Sequence, residues 1–233
     1  MISIFRREWK SHFYRLNGYL FFGILFALTG VFMWVYNFYY GYTGFEYPLA
    51  MLNVGLAAVL PLITVPLFED ERKESVRRML KTHPIRNRDL LWGKVLSVFA
   101  LLLLVTVGML LCPNLLNLFG DVELLTAYGA VLAFFLLGLA LLSVEIFISM
   151  MLSNRILRWA VSYGVPTVLV GMGYLANALP DGIGNVVRYG SLFGAYTPFM
   201  YGIFDLRSVV LWLSVAAVFT VLTVRFSDRI LRR

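Results

Sequence analysis

The sequence predicts an all-α membrane protein with six transmembrane helices, and three observations carry this prediction. The 233 residues are 60% hydrophobic and only 14% charged, whereas a soluble domain is nearer half apolar and a quarter charged. Six apolar runs approach or exceed the roughly 20 residues that a helix needs to cross a bilayer. All but two of the 20 Lys and Arg residues fall in segments that would share one side of the membrane.

The predicted spans are separated by short polar or aromatic segments. They cover residues 18–38, 49–68, 95–117, 124–152, 159–179 and 209–224. Because their number is even, both termini lie on the same side, and the distribution of basic residues makes that side cytoplasmic. The two basic residues on the other side are Arg188 and Arg207. We expect one transmembrane domain, residues 1–233, in a plasma membrane.

The first element, residues 1–17, combines aromatic and basic side chains. Phe5, Trp9, Phe13 and Leu16 recur at helical spacing, and basic residues occupy the other faces. This pattern is typical of an amphipathic helix that lies in the cytoplasmic interface. An ordinary basic topology signal before the first span explains the same residues, and the sequence leaves both interpretations open.

The first two spans take up residues 18–68, and the second contains two prolines. Pro61 and Pro66 each lack a backbone N–H, and each kinks or terminates a helix. They either shape the helix only or form a hinge that passes motion from the following segment into the bundle. Asn53, in the same span, is of a residue type that bonds across helices more often than it binds cargo.

Residues 69–94 form the most highly charged part of the chain, with eight basic and five acidic residues. A charged block of this length cannot lie in lipid, so it projects from the membrane on the cytoplasmic side. We predict a helix that offers a docking surface to a soluble partner. A solvated face without a partner is the alternative interpretation.

Spans three to five occupy residues 95–179 and contain Glu145, the single charged residue within the six spans. A carboxylate at the bilayer centre costs roughly 2.5–3.5 kcal/mol and usually faces a partner or water. Glu145 either lines the substrate path or dimer seam, or pairs locally with Arg155 or Arg158. Gly138 is expected to permit close helix approach. The tentative substrate-path or dimer-seam residues are Glu145, Asn53, Pro61 and Pro66.

The last part of the chain contains a long connection and one more span. The apolar pieces of residues 180–208 are too short to cross a membrane, so we predict re-entrant or interfacial half-helices there. Residues 209–233 comprise the sixth span and a basic tail, whose cations fix the helix end against anionic lipid.

Several kinds of site lack their residues in this sequence. The Gly93-Lys94 pair has Arg88 where a P-loop carries its first glycine and Val95 where it carries Ser or Thr. Two histidines and one cysteine cannot assemble a zinc site of the usual His/Cys type. The net charge of +7 follows the membrane topology, so nucleic acid is not an expected partner. We predict no catalytic residue, metal or cofactor on this chain, and membrane lipid as one partner.

Short motifs mark the chain in a recognisable order. Two prolines close span two, Glu71-Arg72-Lys73 follows, Leu80 and Pro84 come next, and Leu90-Leu91-Trp92-Gly93-Lys94 opens span three. Further matches lie in Phe5-Arg6-Arg7-Glu8, Gly18-Tyr19, residues 202–207 and Leu222-Thr223. Together these motifs resemble those of type-2 ATP-binding-cassette (ABC) exporter permeases, in particular the gliding-motility-associated branch. Ser75-Val76 departs from the family's usual Gly-Thr, and Arg78 stands where a carboxylate is common.

The resemblance implies that residues 69–94 carry a coupling helix that fits a groove on a separate cytoplasmic ATPase subunit. ATP and Mg would be bound by that ATPase. Two permeases, either two copies or one copy and a paralogue, would form the substrate pathway as a dimer. The residues expected to dock the ATPase are Glu69, Glu71, Arg72, Lys73, Arg77, Arg78, Leu80, Lys81 and Pro84.

Two other functions compete with this expectation. A proton- or ion-coupled secondary transporter normally uses coupling carboxylates and an inverted repeat with broken helices, and the spans contain only Glu145. A membrane enzyme or scaffold is the second competitor, and it lacks visible paired reactive groups.

Overall fold

The computed structural model describes residues 2–14, 16–69, 87–175 and 191–230. Every element of regular structure within these ranges is helical. The longer helices are α1 (Ile2–Tyr14), α2 (Leu16–Met33), α3 (Glu46–Val59), α5 (Asn87–Met109), α7 (Leu124–Met151), α8 (Arg155–Leu175) and α10 (Leu206–Ile230). The short ones are α4 (Pro61–Thr64), α6 (Leu111–Leu116) and α9 (Thr197–Met200), with a π-helical turn at Trp34–Tyr39 and 3-10 turns at Pro66–Phe68 and Gly194–Tyr196.

Five stretches of helix in the described residues are long and apolar enough to cross a membrane. They are Leu16–Tyr39, Glu46–Phe68, Asp89–Leu116, Leu124–Met151 and Leu206–Phe226. An all-α, membrane-embedded protein is therefore confirmed. The predicted fifth span, residues 159–179, coincides with α8 as far as Leu175, but α8 is not among these five, so the count of six stays a prediction.

Helix α7 forms the centre of the bundle, and its buried side chains belong to one apolar core shared with α2, α3 and α5. Gly138 on α7 permits this packing, because a Cβ there would lie 2.9 Å from Leu102 and 3.2 Å from Leu56. By contrast, few side chains of α2 and α10 are buried although both helices are apolar. Large exposed apolar surfaces of this kind suit a lipid environment.

The second span is interrupted at both prolines, as predicted. Helix α3 ends at Val59, α4 begins at Pro61, and the chain tightens into a 3-10 turn at Pro66. Helical hydrogen bonds continue across the first proline, because the amide N–H groups of Thr64 and Val65 bond to the carbonyls of Leu60 and Pro61. The second proline therefore loosens the end of the span, directly before the charged segment.

Helix α1 lies against α5, and its aromatic side chains form a row. The rings of Phe5 and Trp9 stack with centroids 6.1 Å apart, and Trp9 and Phe13 meet edge to face at 5.3 Å. Phe13 in turn stacks on Phe22 of α2. The predicted N-terminal helix is thus present, whereas its position in a lipid interface stays a prediction.

The connection before α10 is partly described. Residues 180–190 of the predicted half-helices lie outside the described ranges, and residues 191–205 contain two short helical turns packed on the bundle. Tyr196 and Phe199 are buried there, and the indole N–H of Trp212 donates to the Leu192 carbonyl at 3.0 Å. Whether this segment enters lipid stays a prediction.

Candidate functional site at the end of the second span

The bundle has one end where α1, the 3-10 turn Pro66–Phe68, the start of α5 and the start of α8 meet. We call it the basic end, because Lys94, Arg155 and Arg158 lie there. The charged segment predicted to dock a partner leaves the described structure at this end, after Glu69. This end therefore contains the part of the bundle to which a docked partner would be attached.

The second span ends at the 3-10 turn Pro66–Phe68, and the last carbonyls of a helix can accept hydrogen bonds from other parts of a protein. Side chains from three other helices donate to them. Ser149 Oγ donates to the Thr64 carbonyl at 2.7 Å, Arg158 Nη1 to the Val65 carbonyl at 3.1 Å, and Lys94 Nζ to the Leu67 carbonyl at 2.6 Å. We call Lys94, Ser149 and Arg158 the carbonyl cap.

The carbonyl cap is buried, with relative exposures of 3% for Lys94, 0% for Ser149 and 2% for Arg158. Cations at a helix C-terminus are favourable because they oppose the negative end of the helix dipole. The three donors stand on α5, α7 and α8. One short turn is thus fastened to three helices at once.

Arg158 fastens a second chain segment as well. Its Nε donates to the Leu152 carbonyl at 3.3 Å and its Nη2 to the Ser153 carbonyl at 3.5 Å. Both carbonyls belong to the connection between α7 and α8. A single guanidinium therefore holds the end of α7, the start of α8 and the end of the second span together.

Lys94 extends the cap to α1 through an ion pair with Glu8, at 3.3 Å between Nζ and Oε2. His12 Nε2 and Ser97 Oγ are 3.3 Å apart one helical turn further along. Burial raises the pKa of Glu8, but the charges and hydrogen bonds of Lys94 and Arg7 together outweigh burial and hold the pKa below its ordinary value. Glu8 is therefore ionised at neutral pH, and α1 is tied to the same turn as the other helices.

Glu145 lies beside the carbonyl cap and is fully buried. Its Oε2 accepts a long hydrogen bond from Thr64 Oγ1 at 3.4 Å, and no group of the described residues lies within hydrogen-bonding distance of its Oε1. The buried Oγ of Ser162 on α8 lies close enough to this carboxyl group to interact with it. The polar cluster thus holds a carboxyl group on α7 that is incompletely satisfied.

The pairing of Glu145 with Arg155 or Arg158 is wrong for the described structure. Arg158 donates to backbone carbonyls, and Arg155 lies on the surface, where it pairs with Glu69 at 3.3 Å. The reason is that the interrupted helix end offers unpaired carbonyls close to the start of α8, and the guanidinium of Arg158 is occupied by them.

The predicted docking residues are described only at their first member, Glu69, whose carboxylate meets Arg155. The other eight lie outside the described ranges: Glu71, Arg72, Lys73, Arg77, Arg78, Leu80, Lys81 and Pro84. Their role stays a prediction that follows from the sequence.

The tentative substrate-path residues do not form one cluster. Pro61 and Pro66 interrupt the second span near Glu145, and Pro61 is buried. Asn53 is 1% exposed and lies 11 residues before Thr64, about 16 Å away along a helix. Its Oδ1 has no hydrogen-bond partner. The structure thus joins Glu145 and the two prolines, and separates Asn53 from them.

The sequence-based site omitted Ser149 and did not recognise the capping role of Arg158 or Lys94. A usable signal was present in the end of the second span, since the last carbonyls of a helix are often bound by Lys or Arg side chains. Which donors supply them depends on how the helices pack. The sequence matches no protein-family model, and comparisons with curated proteins and solved structures find no match.

Proposed function

We propose that this chain is the transmembrane permease subunit of an ATP-driven ABC exporter in a prokaryotic plasma membrane. Residues 69–94 face the cytoplasm and dock a separate ATPase subunit that binds ATP and Mg. A second copy or a paralogous permease completes the substrate pathway, and both termini are cytoplasmic.

The carbonyl cap is the observation that carries this proposal. The proposed docking segment begins at Glu69, two residues after the Leu67 carbonyl that Lys94 binds. A displacement of the segment pulls on the 3-10 turn, and the hydrogen bonds of Lys94, Ser149 and Arg158 pass the pull to α5, α7 and α8. Pro66 allows the turn to move because it interrupts the helical hydrogen bonds there.

Charge supports the same orientation. In the sequence, 18 of the 20 basic residues lie in segments predicted to share one side of the membrane, which is the pattern of loops retained in the cytoplasm. The chain lacks a P-loop sequence, so ATP hydrolysis is assigned to the partner.

Reversal of two charges in the docking segment tests the proposal. We expect Arg77→Glu/Arg78→Glu to abolish co-purification of the ATPase subunit, because two cations that meet acidic groups of the partner become repulsive. The amount of ATPase retained on the affinity-tagged permease, isolated from cells that express both chains, measures the effect.

The matched control is Arg232→Glu/Arg233→Glu, which changes the total charge equally and is placed in the basic tail. This variant should retain the ATPase. Undiminished ATPase binding to Arg77→Glu/Arg78→Glu would remove these contacts from the proposal, and equal loss in both variants would reduce the effect to non-specific charge.

A proton- or ion-coupled secondary transporter is the second candidate, favoured by Glu145 alone. A buried carboxyl group beside the hydroxyl groups of Thr64 and Ser162 is typical of a group that exchanges a proton or binds a cation. Vesicles that contain this chain without an ATPase separate the candidates. Uptake driven by a proton gradient would favour the secondary transporter, and its absence together with ATP-dependent transport by the complex would favour the exporter.

A further inference from the structure

An apolar groove opens on the side of the bundle between α1, α5 and α7. Its volume is about 490 Å³, within the roughly 300–1,000 Å³ usual for ligand sites. Its lining is wholly apolar: Phe5 from α1, Leu96, Phe99, Ala100 and Leu103 from α5, and Phe135 and Leu139 from α7. The groove contains no polar partner for a hydrophilic ligand, so its occupant must present hydrocarbon.

The groove begins beside α1 and extends toward the middle of the predicted bilayer. Helix α1 crosses α5 near Gly93 and Lys94, and the lining continues along α5 to Leu103. From Leu96 to Leu103 the helical rise gives a length of about 10 Å. The groove therefore has the direction of a lipid acyl chain whose head lies at the level of α1.

Helix α1 supplies positive charge at this level. Arg6, Arg7 and Lys10 are exposed, whereas the one carboxylate of the helix, Glu8, is neutralised by Lys94 and Arg7. Because Arg7 already bonds to Glu8 at 2.8 Å, Arg6 and Lys10 are the two cations that we assign to an external anion. An apolar groove below a cationic helix is complementary to an anionic amphiphile.

We propose that the groove is a binding site for an anionic phospholipid. One acyl chain lies against Phe5, Phe99 and Leu139, and the phosphate head group lies at Arg6 and Lys10. The bound lipid holds α1 on α5 and so supports the ion pair between Glu8 and Lys94. This inference does not depend on the exporter function.

Native mass spectrometry of the detergent-purified chain, titrated with phosphatidylglycerol or phosphatidylcholine, tests the site. Near a surface each Lys or Arg contributes on the order of 1 kcal/mol to binding of anionic lipid, so two cations give roughly a 30-fold preference for phosphatidylglycerol. We expect Arg6→Gln/Lys10→Gln to remove this preference while phosphatidylcholine still binds. Both side chains are exposed, so the variant leaves the core intact.

A second variant fills the groove itself. Ala100→Phe should abolish binding of both lipids, and Ala217→Phe, at an exposed position of α10, is the matched control that should bind both as the wild type does. Leu103→Trp, at a half-exposed lining position, gives the same test if Ala100→Phe does not fold.

Two results would overturn the proposal. One is a preference for phosphatidylglycerol that survives Arg6→Gln/Lys10→Gln. The other is retention of lipid by the groove-filling variants. If these variants retain lipid but change their oligomeric state, the groove is assigned to a second copy of the chain instead.

Discussion

Replacement of Arg158 by alanine is expected to destabilise the bundle by about 1.5–3 kcal/mol. Arg158 is 2% exposed and is the donor to the carbonyls of Val65, Leu152 and Ser153. Without it, the Val65 carbonyl loses a charged donor in a buried setting, and the carbonyls of Leu152 and Ser153 lose theirs at the edge of the bundle. The second span also loses one of its hydrogen-bonded links to α8, so the proposed coupling to an ATPase should weaken together with stability. The free energy of unfolding in detergent micelles measures the first effect.

Arg155→Ala is the matched control on the same helix. Arg155 is 74% exposed and pairs with Glu69 at the surface, where an ion pair contributes about 0–1 kcal/mol. We therefore expect the free energy of unfolding of this variant to be close to that of the wild type. Equal stability of the two variants would show that the bonds of Arg158 to the backbone carbonyls contribute little.

Replacement of Gly138 by leucine is expected to cost about 1–3 kcal/mol or more and to loosen the core. A Cβ at Gly138 lies 2.9 Å from Leu102 and 3.2 Å from Leu56, so the new side chain meets α5 and α3 at once. Fully buried leucines on both sides leave little space for relaxation. Thermal unfolding followed by size-exclusion chromatography measures the loss.

Two further variants decide whether the close approach is the cause. Gly129→Leu lies on the same helix, where no atom is within 4 Å of an added Cβ, and should be tolerated. Leu102→Ala in the Gly138→Leu background returns space on the α5 side and should recover part of the stability. If Gly129→Leu is equally harmful, helix propensity or insertion rather than packing explains the effect.

Five of the six predicted spans coincide with helices long and apolar enough to cross a membrane, because apolar run length is a direct physical signal in membrane proteins. The first and last residues of the spans were less predictable. Helix α10 begins at Leu206, three residues before the predicted start of the sixth span, because Asp205 accepts hydrogen bonds from the amide N–H groups of Arg207 and Ser208. An acidic N-cap explains why charged residues here belong to a helix rather than to the preceding loop.

The candidate site was only partly predictable. Pro61 and Pro66 predict interruptions of the helix, because proline lacks a backbone N–H, and the structure confirms the interruptions. The short sequence separation between Glu145 and Arg158 indicates that the two residues can lie close together. It does not predict the direction in which either side chain points. The packing of α8 against the end of the second span determines where the Arg158 side chain points. Its guanidinium donates to the Val65 carbonyl there.

The proposed exporter function depends most on the side of the membrane that residues 70–86 face and on what binds them. A variant with Cys112 replaced by alanine and Ser75 replaced by cysteine carries a single thiol in that segment, since Cys112 is the chain's one cysteine. Gly120→Cys in the same background places the thiol in an exposed position at the opposite end of the bundle. Labelling of intact cells with a membrane-impermeant maleimide compares the two.

We predict that the thiol at position 75 stays unlabelled until the cells are permeabilised, and that a thiol- and amine-reactive bifunctional reagent then cross-links it to an ATPase subunit. The thiol at position 120 should be labelled from outside. Labelling of position 75 in intact cells, at the rate found for position 120, would contradict both the orientation and the ATP-driven function.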